Sequence, residues 1–140
     1  MIKKVYSCLW YDGNAKEAAS FYCGLFPNSK ITFESPMVVK FDLNGVEFMG
    51  LNGGPQFKFS EAVSLVVECE TQDEIDFFWT KLTEGGNESM CGWLKDKFGM
   101  SWQIVPVIIG KLMSDPVKGP RAMQALMKMR KLVIRDLENA

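Results

Sequence analysis

Two stretches of this chain, SCLWYDGNAKEAASFYCGLF at residues 7–26 and SLVVECETQDEIDFFWTKL at residues 64–82, carry one pattern twice. In the first, Asn14 and Glu17 precede an apolar helical stripe. In the second, Thr71 and Glu74 do the same. An Asn or Thr followed three residues later by Glu is the chemistry of a capping box, in which each side chain satisfies an orphan amide of the first helical turn. The offset, 71 − 14 = 57, carries Ala18 onto Ile75, Phe21 onto Phe78, Tyr22 onto Trp79 and Leu25 onto Leu82. It also carries Ser7 onto Ser64, in the strand ahead of each helix. A repeated strand–helix unit predicts a paired-module fold with its site where the modules meet, so Ser7 and Ser64 are the first candidate site residues.

Working outward, residues 2–10 predict a strand, and Asp12-Gly13 a turn. Ala15, Ala18, Ala19, Tyr22 and Phe26 share one helical face, and Pro27 stops that helix. Short strands are expected near 30–34, 37–43 and 46–51, the last two joined by Asn44-Gly45, a two-residue hairpin signal. Residues 52–61 read as a loop. In Ala62–Cys69, Leu65, Val67 and Cys69 alternate with Ser64, Val66 and Glu68. A helix is expected from Gln72 to Glu84, with Ile75, Phe78, Trp79 and Leu82 inward and Gly85-Gly86 ending it. Strands near 88–93, 95–98 and 101–106 complete the second half. The expected organisation is a single domain over 1–140, with module one at 1–52, module two at 61–106 and a helical extension at 107–140. In that extension Pro120 opens a helix over 120–130 whose Met123, Leu126 and Met127 read as gap-filling core.

A chain of 140 residues is long enough for a real core. A net charge of −1 gives no sign of a general nucleic-acid binder. The charge is uneven: from Lys111 onward 7 basic and 3 acidic residues give +4, and the remainder, 9 basic and 14 acidic, gives −5. Such a basic tail reads first as a solvated helix face. A strand beginning at Ile2 leaves no room for a signal peptide, and no apolar run approaches the ~20 residues of a spanning helix. The four cysteines, Cys8, Cys23, Cys69 and Cys91, lie far apart, so reduced thiols and a cytoplasmic location are expected, without membrane or nucleic-acid partners.

Two βαβββ modules of this size resemble the vicinal oxygen chelate superfamily, with its glyoxalase and bleomycin-resistance fold. Three segments resemble the PhnB-like family more closely: CLWYDGNAKEAASFYCGLFPNSKI at 8–31, FMGLNGGPQFKFSEAVS at 48–64 and CGWLKDKFGMSWQIVP at 91–106. The resemblance implies an α+β fold in which the two modules form a cupped eight-stranded sheet, and a homodimer. Some family members carry the label 3-demethylubiquinone 3-methyltransferase. Methyl transfer is not expected here. S-adenosylmethionine enzymes commonly hold the cofactor on a Gly-rich turn between strand and helix. The only Gly-rich stretch, Asn52-Gly53-Gly54-Pro55, leads instead toward another strand.

Metal-dependent members of the superfamily place His and Glu on the first and last strands of each module. By resemblance those positions fall on Ser7, Ser64, Gln103 and Met49 or Gly50. The chain has no histidine. Ser hydroxyls and a Gln amide are poor ligands for divalent transition metals, so no metal and no cofactor are expected. A weak hard-cation site would need convergent carboxylates, for which Glu47 and Glu68 are the nearest candidates. Without His the usual base near neutral pH is missing too. Ser7, Ser64 and Gln103 then serve to orient a ligand by hydrogen bonds, beside Val66 and Met49. Trp93, Phe57 and Phe59 add apolar area, while Trp102 is expected beneath a helix.

The leading expectation is a cytoplasmic, dimeric, metal-free protein that binds a small, largely apolar molecule. One alternative is an enzyme using a carboxylate-held cation or Cys91, whose thiol nearby Lys95 and Lys97 could activate. Another is an interaction protein using the basic C-terminal helix. Lys95-Asp96-Lys97 itself is expected to be an exposed hairpin feature.

Overall fold

The computed structural model describes residues 1–140, and the chain divides into two compact units, Met1–Lys58 and Phe59–Ala140. The first contains β1 (Ser7–Tyr11), α1 (Ala15–Leu25), β2 (Lys30–Glu34), β3 (Val38–Leu43) and β4 (Val46–Asn52). Its sheet has the order β1-β4-β3-β2, with β1 parallel to β4 and the other pairs antiparallel. Alternation puts Leu9, Tyr11, Val39, Phe41, Leu43 and Phe48 on one buried face, against Ala15, Ala18, Ala19 and Tyr22 of α1. Small residues on this helix let it lie close to the sheet: a Cβ on Gly50 would come within 3.1 Å of the Ala15 Cβ. Asn44 and Gly45, with φ of 49° and 83°, make the expected tight turn between β3 and β4.

The second unit repeats the plan with β5 (Ser64–Cys69), α2 (Gln72–Thr83), β6 (Asn87–Glu88), β7 (Trp93–Lys95) and β8 (Ser101–Pro106). Its sheet order is β5-β8-β7-β6, again with one parallel pair, β5 and β8. Ile75, Trp79 and Leu82 are the buried face of α2, while Phe78, expected with them, is only half-buried, and Trp102 and Ile104 are buried in β8. The unit continues into α3 (Ile109–Ser114), α4 (Lys118–Leu126) and α5 (Ile134–Glu138). No helix is long and apolar enough to cross a membrane.

Only one of the two capping boxes forms. Thr71 Oγ1 accepts from the Glu74 amide at 3.2 Å, and Glu74 Oε1 accepts from the Thr71 amide at 3.2 Å. Asn14 makes no such bond. The Ala15 amide at the start of α1 donates instead to Oδ1 of Asn52, at the end of β4, at 2.9 Å. Asn52 Nδ2 in turn donates to the Pro36 carbonyl at 3.0 Å, so one side chain ties helix, strand and loop together. Asn52→Ala is therefore expected to destabilise by about 1–2 kcal/mol in urea titration, whereas Asn14→Ala stays within about 0.5 kcal/mol of wild type. Equal effects at both positions would refute this assignment of the cap.

Other boundaries differ from expectation for identifiable reasons. β1 starts at Ser7 and not Ile2: its pairing with β4 begins at Ser7 and Phe48, and Ile2 and Val5 precede it and are exposed. The strands expected at 88–93 and 95–98 shrink to Asn87–Glu88 and Trp93–Lys95. Between them Cys91 and Gly92 adopt left-handed φ of 62° and 83° and give their amides to the carbonyls of Met129 and Arg130. After Lys95 the chain turns about Asp96, which is 3% exposed and not the exposed feature expected. The Met-rich helix also departs from expectation. Met123 and Met127 are exposed, and the buried anchors of the extension are Ala122, Leu132 and Leu137.

Candidate functional site

The internal repeat slips by one residue between helix and strand. Three residues separate Tyr11 from Ala15, but only two separate Cys69 from Gln72. The helices therefore correspond at an offset of 57, while the last buried strand residues, Tyr11 and Cys69, correspond at 69 − 11 = 58. A one-residue shift moves a side chain to the opposite face of a sheet. Ser7 pairs with Phe48 and lies on the row of Leu9 and Tyr11, at the exposed start of β1. Ser64, by contrast, shares its row with Val66 and Glu68, opposite the buried Cys69. The positional counterpart of Ser64 is Tyr6, and that of Val66 is Cys8. The expected equivalence of Ser7 and Ser64 fails for this reason, and Ser7 is not on the face that carries Met49.

On that open face of the first sheet, Met49 is flanked by Cys8 and Lys40, and Leu51 by Trp10 and Val38. The Lys40 ammonium sits 5.5 Å from the Tyr6 ring centroid. Trp10 is covered by the Gly-rich loop. Its Nε1 donates to the Gly54 carbonyl at 2.9 Å, and the Phe57 ring meets it edge-on at 4.9 Å between centroids. A Cβ on Gly53 would overlap the indole, which explains the glycine there. The amides of Gly53 and Gly54 both point to the Tyr11 carbonyl. This stretch is a seat for Trp10, and it has no free amides to cradle a cofactor.

On the open face of the second sheet, Val66 pairs with Gln103 and Gln103 with Trp93. Gln103 Nε2 donates to Ser64 Oγ at 2.9 Å. Here the structure does bring together Ser64, Val66, Trp93 and Gln103: a neutral hydrogen-bonded pair flanked by an exposed valine and a half-buried indole. Phe59 opens this unit and is half-buried. Cys8 and Lys40, which the sequence reading did not place beside Met49, share its face in the first unit, and Cys8 is exposed. The signal is present in the alternation of Cys8 and Trp10 against Leu9 and Tyr11, once β1 is anchored at its buried end.

The charged and thiol groups do not converge. Glu47 is paired with Lys4 at 2.8 Å, which raises the lysine's pKa, chiefly through that hydrogen bond. Glu68 stands on the open face, paired in register with Val105. No three His, Cys, Asp or Glu side chains lie close enough to hold a metal ion. Burial pushes the Cys69 thiol up to about 11, with Glu74 adding to the shift, and burial also raises Cys8 and Cys23. Cys91 sits in a left-handed turn, and its backbone N–H donates to the Met129 carbonyl at 2.7 Å. Lys95 does not pair with it but with Glu61, at 2.9 Å, and holds that carboxyl below its ordinary range.

Two βαβββ units with mixed four-stranded sheets define a protein of the glyoxalase and bleomycin-resistance class, the vicinal oxygen chelate fold. A family model described as 3-demethylubiquinone-9 3-methyltransferase matches residues 3–105, and the chain belongs to that PhnB-like family. A PhnB protein from Bacillus cereus bearing the same methyltransferase label is 35% identical. It aligns over 75% of this chain and 100% of its own, with a TM-score of 0.69. Protein PA1353 from Pseudomonas aeruginosa, at 18% identity and a TM-score of 0.63, covers 75% of this chain and 98% of its own. The fosfomycin resistance protein FosX from Listeria monocytogenes, solved with Mn(II) and sulfate, is 12% identical over 74% of this chain and 90% of its own, with a TM-score of 0.56. These last two likenesses show the fold alone. No curated protein matches the chain.

Proposed function

We propose that this protein binds a small, largely apolar molecule without a metal and without converting it. The observation that carries this reading is the Gln103–Ser64 hydrogen bond on the open face of β5 and β8, beside Trp93 and Val66. An indole and an aliphatic side chain offer apolar area, and a neutral amide–hydroxyl pair offers one donor–acceptor contact that can fix orientation without desolvating a charge.

FosX holds Mn(II), but the donors here do not fit such an ion. A hydroxyl and an amide are neutral, and no carboxylate or thiol cluster stands near enough to replace the missing imidazoles. Methyl transfer finds no support in the backbone either. The glycines after β4 are used to seat Trp10, and the turn from β1 into α1 contains a single glycine, Gly13.

The reading is tested by native mass spectrometry and elemental analysis of protein purified without chelators, followed by calorimetric titration with naphthylmethanol as a neutral apolar probe. The expected result is a metal-free protein that binds the probe, with Trp93→Ala weakening binding by about tenfold. Stoichiometric metal, or a Trp93→Ala variant that binds like wild type, would overturn it.

A further inference from the structure

Two observations in the second unit stay unexplained by a purely apolar ligand. The Ser101 hydroxyl is completely buried and has no hydrogen-bond partner. It also lines a cavity of about 340 Å³ that is bounded by Glu61, Asn87, Glu88, Ser89, Trp93 and Lys95, the Glu88 carboxylate being engaged by Trp79 Nε1. A buried hydroxyl without a partner is destabilising, and natural structures rarely keep one unless water or a ligand satisfies it.

The sheet register shows how the cavity wall is built. Asn87 pairs with Lys95, Lys95 with Ser101, and Ser101 with Ser64. Paired residues share a face, so these four make one polar row across β6, β7, β8 and β5. The next row is Trp93, Gln103 and Val66, which supplies the apolar surface. The polar row holds two donor groups: the Ser101 hydroxyl, which has no partner, and the Lys95 ammonium, whose three N–H bonds exceed the single carboxylate that meets it. In the free protein one oxygen of Glu61 meets that ammonium at 2.9 Å. Glu61 lies in the segment between β4 and β5, outside any strand or helix, and its side chain is 66% exposed. An ion pair that exposed is weak and readily exchanged.

We propose that this cavity is a carboxylate subsite in which Lys95 and Ser101 receive the acid group of a small, flat organic acid, while its apolar body rests on Trp93 and Glu61 occupies the anion position in the free protein. This inference rests on the binding function proposed above and narrows its ligand to a monocarboxylate. No covalent step is involved. The incoming carboxylate displaces the Glu61 carboxylate from Lys95 and satisfies the orphan hydroxyl of Ser101.

The test compares naphthoate with naphthylmethanol, equal in ring but different in head group, by calorimetric titration at neutral pH. Wild type is expected to bind naphthoate about tenfold more tightly than naphthylmethanol. Lys95→Met, which keeps the apolar stem, should remove that preference, so that the two probes bind with similar affinity. Glu61→Gln removes the internal competitor and should tighten naphthoate binding by about two- to fivefold. Ser101→Ala should weaken naphthoate binding by about fivefold, yet melt at or above the wild-type temperature, because it deletes an unsatisfied buried group. If wild type binds both probes equally and Glu61→Gln changes neither, the carboxylate subsite is refuted while the binding function stands. If neither probe binds, both fall.

Discussion

Asp96→Ala is expected to lose about 3–5 kcal/mol of stability, a large part of what an ordinary domain possesses. The carboxylate is buried in the turn between β7 and β8, and its two oxygens are fully occupied. Oδ1 accepts from the amides of Phe98 and Met100 at 2.8 and 3.0 Å, and Oδ2 accepts from Trp102 Nε1 at 2.8 Å. Removing it strands three N–H groups, two of them on buried residues. Backbone bonds across the same turn, Asp96 amide to Met100 carbonyl and Gly99 amide to Asp96 carbonyl, depend on the geometry the side chain imposes. Asp96→Asn should fall between wild type and alanine. An amide keeps one oxygen for the backbone donors but turns a donor toward the indole. Urea titration followed by tryptophan fluorescence reads both variants. An alanine variant within about 1 kcal/mol of wild type would show that the turn holds without its carboxylate.

Leu132→Ala is expected to cost about 2–5 kcal/mol, and a chain stopped before Leu132 to lose the fold of the second unit. Leu132 is fully buried and lies against Gly92, where an added Cβ would stand 3.1 Å from the leucine and 2.9 Å from the Ile104 carbonyl. The extension is therefore packed into the body of this unit. Polar bonds fasten the same segment to α2. Gln72 Nε2 donates to the Leu132 carbonyl at 3.0 Å, and Gln72 Oε1 accepts from the Ile134 amide at 2.8 Å. Lys131 pairs with Asp76 at 2.8 Å and, with Gln72, lowers that carboxyl's pKa. A depressed carboxyl contributes stability above its ordinary range and loses it as pH falls through the depressed value. Because both side chains are more than a third exposed, that contribution is small, and Asp76→Asn should sit within about 1 kcal/mol of wild type at neutral pH. If Asp76→Asn is as damaging as Leu132→Ala, the fastening is electrostatic and the packing account is wrong.

Helix faces are largely legible in the sequence because burial repeats along them: Ile75, Trp79 and Leu82 are where the stripe puts them, although Phe78 and Phe26 are only half-buried. The Asn44-Gly45 turn is legible for a local reason, the need for positive φ at both positions. The cap on α1 is not, since Asn52 lies 37 residues from the amide it serves, beyond any motif. Nor is Asp96, because an acidic residue between two lysines reads as solvated unless its three donors, supplied partly by the turn itself, are foreseen. Of the site, Ser64, Val66, Trp93 and Gln103 share a face as alternation implies. Ser7 falls on the other face of its sheet because the helix repeat does not extend unchanged through the connector.

The extra residue among Asp12, Gly13 and Asn14 works as a phase shift: every residue of the first strand is rotated by half a period relative to its twin in the second. Two copies of one strand pattern thus show solvent different letters of nearly the same text, Tyr6, Cys8 and Trp10 in one and Ser64, Val66 and Glu68 in the other. For an engineer, histidines placed at Ser7 and Ser64 would not be equivalent: one would lie on the helix-facing row of its own sheet and the other on the open row of its own. The matched pair is Tyr6 with Ser64, or Cys8 with Val66, and deleting one residue of the connector would be the change that brings the copies back into phase.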